Sequence, residues 1–550
     1  MFAIQLELRL VDDYQAPTPQ PGLGDCLLQA SAPEPNRLIG DRHLHAGKSS
    51  SNPIRQTRVV QQGGENLQPD RLLVPLEDPQ NPNPLRQNLE TIPNDRDETL
   101  QPKNLRSYLD NLRILIYLDA KRLDTGEQPL LYLTKEEESQ LEGEHGHALE
   151  IAMSALVKLG DMYSADRMIK IDNVHVDAST YGGIHEAGLQ FCRRLVKGGA
   201  VFRVPTTLCI SAIDFDLWRE LQVPNSFASK QMRLAEAYAK MGALPTWTCA
   251  PYQYGSGVRF GQNIAWAESN AIAFANSIVG ARTNRFADLI DVCAGLVGKV
   301  PRFGLYLDQN RKGQVLFSLR KTSKEHLGCE DYAALGHYVG ATVVQKIPVI
   351  EGLPTHASVD QLKSFAAAAA ASGSVALFHM VGLTPEARTA KEALRNDVAE
   401  ETVSVGNEEL KDTCMKLSTI REGRPDCIFL GCPHYSVEQI GEVVAFLKGR
   451  KVRKNVQLWV FTSRMAKTLA RSRGYVETFE ASEGKVLADT CPLHLPLQRW
   501  NFQTMATDSA KMAHYAPSII ETDVLFASTR ECLQYATGGT ERVMARSWPK

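Results

Sequence analysis

The stretch that decides the fold is "DCIFLGCPHYSVEQIGEVVAFLK", residues 426–448. Its first part is an apolar run that closes on glycine, cysteine and proline, as a buried strand does when it reaches a turn. From Ser436 onward the apolar residues recur every three or four positions, which is the spacing of a helix with one buried face. The stretch therefore predicts a strand over 426–434 and a helix over 436–448.

The same alternation extends outward along the chain. Other strand-like runs are "DRMIKIDNVHV", "GAVFRVPTTL", "RFGLYL", "ATVVQKIPVI", "SVALFHMVG", "VQLWVFTS" and "KVLADTCP", and a second clear helical pattern covers 359–371. Strands that alternate with helices imply parallel or mixed sheets covered by helices. We predict an α/β fold in which functional side chains collect beyond the carboxyl ends of the strands.

Composition excludes several classes of protein. The net charge of −2 and pI of about 6.7 give no reason to expect nucleic acid or an anionic membrane surface as a partner. No apolar run is long enough to span a membrane, and the N-terminus lacks the pattern of a signal peptide, so we expect a cytoplasmic protein. An odd number of cysteines, 11, argues against a framework of disulfides.

The first 130 residues differ from the rest of the chain. They contain 14 of the 28 prolines and sustain neither helical nor strand periodicity. We predict an irregular or disordered segment over 1–130, with one short helix over 104–120. Ordered structure is expected from 131 to 545, where Thr134 and Glu137 have the spacing of a capping box at the start of the first helix.

Three cysteines share one local context. Cys249, Cys432 and Cys491 each follow an apolar piece, and a proline comes directly after the cysteine or one residue later. Three thiolates on three loops can bind a soft metal or an iron–sulfur cluster and leave one iron site open. The alternative from these residues is three buried cysteines near turns, since no CxxC spacing is present.

A second candidate region is "WAESNAIAFANSIVGARTNR", residues 266–285. Arg282 and Arg285 are each able to bind a carboxylate through two parallel hydrogen bonds. The alternative is an ordinary helix end, terminated by Gly280, where the helix dipole favours arginine. Taken alone, these residues favour the ordinary helix end.

Four other polar residues stand at predicted strand ends or helix starts. Thr206 and Thr207 close the run "VPTTL", and hydroxyls there either serve a ligand or simply suit a strand. Lys511 is a candidate cation for an anionic ligand, with an ordinary solvated lysine as the alternative. His175 is a candidate base or ligand, with a structural histidine as the alternative. No nucleotide-binding glycine motif and no GxSxG elbow occurs in the chain.

Taken together, these segments resemble the aconitase X family over about 131–540. The matching stretches are "YLTKEEESQLEG", "VPTTL", "CAPY", "GQNIAWAESNAIAFANSIVGARTNR", "LFHMVGLTPEA", "GCPH", "ADTCP" and "TDSAKMAHYAP". The resemblance implies aconitase-like α/β/α layers and a hydro-lyase with an iron–sulfur centre, expected to be of the 2Fe–2S type. Family members dehydrate cis-3-hydroxy-L-proline or, in archaea, mevalonate 5-phosphate.

The resemblance also implies roles for particular residues. The cysteines of the family's CxPY, GCPH and DTCP motifs fall on Cys249, Cys432 and Cys491, which makes them the expected cluster ligands. Residues expected at the substrate carboxylate, a small hydroxy acid in either case, are Arg282, Asn284 and Arg285, with Ser269 nearby. Two positions depart from the family pattern: Cys209 stands where asparagine is expected, and Asn270 where serine is expected.

A smaller swivelling domain belongs to the family pattern, and it closes over the site. After residue 540 only "ERVMARSWPK" remains, so no such domain is recognisable, and we expect a separate small subunit to supply it. The alternative is a catalytically silent homologue. Within 131–545 we predict subdomain boundaries after 345 and after 417.

Overall fold

The computed structural model describes residues 131–253, 257–320 and 327–546. The predicted irregular segment 1–130, with its helix at 104–120, lies outside the described residues. The subdomain boundaries after 345 and 417 stay predictions.

The described strands are short and are numbered here in chain order. They are β1 (Met168–Lys170), β2 (Val174–Val176), β3 (Thr206–Leu208), β4 (Ala265–Trp266), β5 (Lys299–Pro301), β6 (Val315–Leu319), β7 (Pro348–Glu351), β8 (His379–Met380), β9 (Glu401–Val405), β10 (Glu422–Gly423), β11 (Cys427–Tyr435), β12 (Gln457–Thr462), β13 (Lys485–Ala488), β14 (Thr504–Thr507), β15 (Asp523–Phe526) and β16 (Val543–Met544).

The helices between them are of ordinary length for a globular protein. They are α1 (Lys135–Leu141), α2 (His147–Met162), α3 (Tyr181–Lys197), α4 (Asn225–Lys240), α5 (Ser269–Phe274), α6 (Ile290–Val297), α7 (Cys329–Val343), α8 (Val359–Gly373), α9 (Ala390–Ala393), α10 (Asn407–Lys416), α11 (Val437–Leu447), α12 (Arg464–Ser472), α13 (Tyr475–Ala481), α14 (Ala510–Ile519) and α15 (Thr529–Ala536). None of the helices in the described ranges combines the length and apolarity needed to cross a membrane.

The strand in residues 426–448 forms the centre of the five-stranded sheet, the largest in the described residues. β11 lies between β12 and β14 in the order β13-β12-β11-β14-β15, and every pairing is parallel. Alternate side chains of β11 enter different apolar clusters: Ile428 and Leu430 pack on one face, Phe429 on the other. Because both faces are buried, the strand has no polar alternation. The predicted strand and helix of this stretch are confirmed by β11 and α11.

A three-stranded parallel sheet, in the order β3-β2-β4, carries several candidate residues. His175 in β2 is in register with Thr207 in β3 and with Trp266 in β4. Neighbouring strands lie about 4.8 Å apart, so residues in register on the same face are in contact range. The sheet therefore places the side chains of His175 and Thr207 side by side.

A third parallel sheet, in the order β8-β7-β6-β9, packs beside the helix pair α7 and α8. These two helices approach very closely, because a Cβ atom added at Gly373 would lie 1.8 Å from the carbonyl oxygen of Gly340. The alanines at 366–370 in α8 are buried as well. Small side chains thus allow the two backbones to touch.

The strand predicted at 302–307 is wrong, because the chain forms a 3-10 turn over Gly304–Tyr306. Gly304 has a positive φ of 56°, and the Leu305 N–H donates to Oδ1 of Asn284 at 2.7 Å. A backbone donor that is bound to a side chain is not available for a strand ladder. The local propensity for strand was therefore overridden by a distant side chain.

Two further predicted elements begin or end elsewhere. The first part of the strand predicted at 341–350 belongs to α7, and only Pro348–Glu351 pairs as β7. Of the strand predicted at 374–382, only His379–Met380 pairs as β8. The chain then turns, and the Leu383 and Thr384 N–H groups both donate to the Met380 carbonyl. The capping box of Thr134 and Glu137 and the helix predicted at 359–371 are confirmed.

Candidate active site

Three cysteine-bearing segments meet at the carboxyl end of the five-stranded sheet. Cys432 lies late in β11, where the register with β12 shifts, and Cys491 follows the end of β13. Cys249 does not belong to this sheet and lies in the loop that precedes the 3-10 turn Pro251–Gln253. Parallel strands present their carboxyl ends at one edge, which is how residues far apart in sequence reach one place.

The three thiols are neighbours. Cys249 and Cys491 are each 9% exposed and pack in one small cluster, and Cys432 is half-buried. None of the three forms a disulfide. A hydrogen bond between the Cys432 and Cys491 thiols lowers the pKa of Cys432 and raises the pKa of Cys491. The nearby Lys511 ammonium lowers the pKa of Cys432 further. The pair thus favours one thiolate, on Cys432.

The donor set fits a soft metal or an iron–sulfur cluster, because three thiols free of disulfides adjoin one another and a cation. In residues 131–253, 257–320 and 327–546, no group of three or more His, Cys, Asp or Glu side chains lies in a geometry that could hold a metal ion. The chemistry of the donors therefore supports the ligand role of Cys249, Cys432 and Cys491, which stays a prediction.

A buried ion pair stands beside the thiols. Nζ of Lys511, in the first turn of α14, lies 2.6 Å from Oε1 of Glu268 and 3.2 Å from Oγ of Ser269. Burial by itself would lower the pKa of Lys511, but the Glu268 carboxylate and the Cys432 and Cys249 thiols raise it well above the ordinary value. Lys511 therefore carries a positive charge that faces both the carboxylate and the cysteines.

Glu268 was not identified from the sequence, although it is the acidic partner of Lys511 at this site. It is 5% exposed and caps helix α5, where its Oε2 accepts the Ala271 N–H at 2.7 Å. The same oxygen accepts from Nδ2 of Asn270 at 2.6 Å. An acidic residue directly before a helix that starts with serine was the available signal, since carboxylates favour helix N-termini.

His175 and Thr207 form the next part of the site. Nδ1 of His175 lies 2.8 Å from Oγ1 of Thr207, and Nε2 is buried without a hydrogen-bond partner. Burial lowers the pKa of His175 to about 4, so the imidazole is neutral at pH 7. Thr206 points elsewhere, because its hydroxyl donates to the Val204 carbonyl at 2.9 Å.

The structure separates the residues expected at a substrate carboxylate. Arg282 bonds to the Tyr306 carbonyl at 3.1 Å and forms an ion pair with Asp308, and Asn284 bridges Phe303 and Leu305. These two side chains hold the 3-10 turn and its neighbours. Arg285 makes no hydrogen bond or ion pair to the described part of the chain, and it lies within electrostatic range of Glu268.

The two departures from the expected family pattern both lie at this site. Asn270 is fully buried and also donates from Nδ2 to the Cys249 carbonyl at 2.7 Å. Cys209 is fully buried in the small cluster that contains Cys249 and Cys491. Each departing side chain thus touches the part of the chain that carries a candidate ligand.

Comparison with protein families finds three matching models that follow one another along the chain. They are the aconitase X first domain at 130–309, the second domain at 313–415 and the third domain at 425–538. In the solved structures, the chain is similar to the holo-form of aconitase X from Thermococcus kodakaraensis, with a TM-score of 0.67 and 38% identity over 74% of this chain and 100% of that one.

Similar curated proteins carry two names. The phosphomevalonate dehydratase large subunit of Methanocaldococcus jannaschii is 40% identical over 74% of this chain and 100% of its own length. The cis-3-hydroxy-L-proline dehydratases of Pseudomonas aeruginosa and Hypocrea jecorina are 38% and 34% identical, over 75% and 76% of this chain and 71% and 70% of theirs. The resemblance read from the sequence is confirmed, and the chain belongs to the aconitase X family.

Proposed function

We propose that the chain is a hydro-lyase that removes water from a small hydroxy carboxylate, with cis-3-hydroxy-L-proline as the substrate. The observation that carries the proposal is the buried Lys511–Glu268 pair beside three thiols that form no disulfide. Relatives under both curated names are dehydratases, which supports the reaction class.

Loss of water from a β-hydroxy carboxylate requires removal of a weakly acidic Cα proton and departure of hydroxide. Charge builds up on the enolate-like carboxylate as the proton leaves, and a fixed cation in a buried site stabilises that charge. Lys511 is such a cation, because its raised pKa keeps Nζ protonated. His175, neutral at pH 7, offers Nε2 as a proton acceptor.

A cluster held by Cys249, Cys432 and Cys491, which we expect to be of the 2Fe–2S type, supplies Lewis acidity for the departing hydroxyl when it is bound. The chain's own contribution is to orient the substrate. Arg285 is the arginine we assign to the substrate carboxylate, because Arg282 is already committed to Asp308. Thr207 and Ser269 contribute hydroxyls that contact His175 and Lys511 respectively.

The number of cationic side chains among the candidate residues favours a substrate with one anionic group. Arg285 is the unpaired arginine of the candidate set, and Lys511 is paired with Glu268. A phosphate in addition to a carboxylate would need further cations within reach of the site. We therefore put cis-3-hydroxy-L-proline ahead of mevalonate 5-phosphate as the proposed substrate.

Mevalonate 5-phosphate is the second candidate, and a specific observation favours it. The match to the Methanocaldococcus jannaschii large subunit covers that protein's full length, at an identity slightly above that of the hydroxyproline dehydratases. The name "large subunit" implies a small subunit in that enzyme. We propose that a separate small subunit with a swivelling domain completes the site of this chain as well.

The test is an assay of water loss after anaerobic purification and reconstitution with iron and sulfide. Both substrates are offered, each with and without an added small subunit from a phosphomevalonate dehydratase. We expect turnover of cis-3-hydroxy-L-proline and its loss in Cys432→Ser. Turnover of mevalonate 5-phosphate alone would replace the first candidate by the second, and a fully loaded chain inactive on both, with the small subunit present, would contradict the proposal.

A further inference from the structure

The side chain of His434 touches two of the three cysteine loops while its own backbone belongs to the third. His434 lies in β11 two residues after Cys432 and is 1% exposed. Its Nδ1 is 3.2 Å from Oγ1 of Thr248, and its Nε2 is 2.9 Å from the carbonyl oxygen of Thr490. Thr248 directly precedes Cys249, and Thr490 directly precedes Cys491.

The partners determine which ring nitrogen carries the hydrogen. A carbonyl oxygen only accepts, so Nε2 must donate to Thr490. Nδ1 of His434 is then an acceptor and takes the hydroxyl hydrogen of Thr248. One neutral imidazole in one tautomer therefore joins the loop of Cys249 to the loop of Cys491, with no unused donor or acceptor on the ring.

The backbone of His434 is held just as fully. Its N–H donates to Sγ of Cys249 at 3.3 Å, which is a direct contact with one of the candidate ligands. Its carbonyl oxygen accepts from Nζ of Lys363 at 3.1 Å and from Nε2 of Gln253 at 3.3 Å. Lys363 is itself 1% exposed and paired with Asp360, so this support is rigid.

We propose that His434 is a positioning residue that sets the relative places of the three thiols. We call the group of His434, Thr248 and Thr490 the His434 clasp. The inference rests on the proposed function, because it presupposes that Cys249, Cys432 and Cys491 act together on one metal centre. The three loops are separated by 186 and 56 residues along the chain, so local structure does not fix their distances.

Groups that orient metal ligands typically change metal affinity by roughly 10- to 100-fold when they are removed. His434→Ala should therefore weaken metal binding by about that factor. His434→Gln keeps an amide N–H at the position of Nε2 and should recover part of the loss. Both variants keep the backbone N–H that donates to Cys249, so a change in metal affinity reports on the imidazole ring alone.

A second route removes the clasp without touching the histidine. Thr248→Val has nearly the same shape as the wild-type residue but lacks the hydroxyl, which donates to Nδ1 of His434 and also accepts the Ala250 N–H at 3.1 Å. Thr248→Ser keeps that hydroxyl and is the matched control. If His434→Ala fails to fold, the Thr248 pair still decides the proposal.

The probe is Cd²⁺ alone, titrated into the full chain purified without iron, with thiolate-to-cadmium charge-transfer absorbance as the readout. This absorbance reports how many thiolates share the metal, which a general loss of stability does not change. His379→Gln is the buried-histidine control: His379 is 2% exposed, and its Nε2 lies 2.8 Å from the Arg311 carbonyl, in a different part of the fold.

We expect wild type, His379→Gln and Thr248→Ser to show the full three-thiolate signal. His434→Ala and Thr248→Val should bind Cd²⁺ more weakly than wild type and show fewer bound thiolates. His434→Gln should lie between wild type and His434→Ala. Wild-type affinity and signal in folded His434→Ala, or in Thr248→Val, would overturn the clasp while leaving the thiol site in place. Failure of the wild type to bind Cd²⁺ through its thiols would overturn both the clasp and the proposed cluster site.

Discussion

At the scale of single residues, Arg282 and Arg285 offer a matched pair, because Arg282 is bound to Asp308 and Arg285 is not paired within the described residues. Arg285→Ala should raise KM by roughly 10- to 100-fold, since a hydrogen bond to a charged group contributes about 1.5–3 kcal/mol. Arg282→Ala should leave KM unchanged and lower the free energy of unfolding. Steady-state kinetics and denaturant unfolding measure both, and a larger KM effect for Arg282 would reverse the assignment.

Glu268→Gln tests the ion pair. The amide keeps an acceptor for the Ala271 N–H but removes the carboxylate that holds the pKa of Lys511 high. We expect kcat to fall by roughly 100-fold. The alkaline limb of the pH–rate profile should move to lower pH, because Lys511 then loses its proton more easily. A profile of kcat against pH that matches wild type would show that Glu268 does not tune Lys511.

Asp291 predicts a pH dependence of stability. Burial, with Asp288 nearby, raises its pKa from 3.8 to about 7, so the folded state holds a proton that the unfolded state releases. Stability should therefore fall as pH rises from about 4 to 7, by at most ~1.4 kcal/mol per pH unit, and level off above 7. Asp291→Asn should remove this part of the dependence in unfolding measured at several pH values; an unchanged slope would contradict the shifted pKa.

At the level of single elements, two serine N-caps differ in what the serine and its helix contact, because the Ser509 hydroxyl also donates to the Cys432 carbonyl. Ser509 caps α14, which bears Lys511, and Ser528 caps α15, which bears no candidate residue. Each alanine substitution should cost about 1 kcal/mol of stability. Only Ser509→Ala should also lower kcat, which parallel unfolding and activity assays would detect. An equal loss of kcat in Ser528→Ala would attribute the effect to stability alone.

The elements that the sequence predicts correctly are those whose own residues decide them. β11 and α11 follow from a long apolar run and a sustained helical period. The run at 302–307 has the same local appearance as a strand, yet it forms a turn because the Asn284 side chain, some twenty residues earlier, takes its backbone donor. Such a partner is not visible in a local pattern, and short two- or three-residue strands depend on it most.

In the molecule as a whole, the candidate site forms where three loops that are distant in sequence come together. The local context of Cys249, Cys432 and Cys491 and the family resemblance pointed to one place, and the parallel sheets bring their loops together there. The two arginines of the stretch at 266–285 did not converge on one ligand site, because Arg282 pairs with Asp308 and Arg285 lies within electrostatic range of Glu268. Glu268 was missed because an acidic residue before a helix start usually serves only as a cap, and its pairing with Lys511 is visible only in the fold.

The most direct test of the central claim is the iron and labile sulfide content per chain after anaerobic reconstitution. Wild type is compared with Cys432→Ser and with Cys329→Ser, a control at another half-buried cysteine, at the start of α7. We expect stoichiometric iron and sulfide in wild type and Cys329→Ser, and loss of both in Cys432→Ser. Full retention of iron and sulfide by a folded Cys432→Ser variant would contradict this expectation.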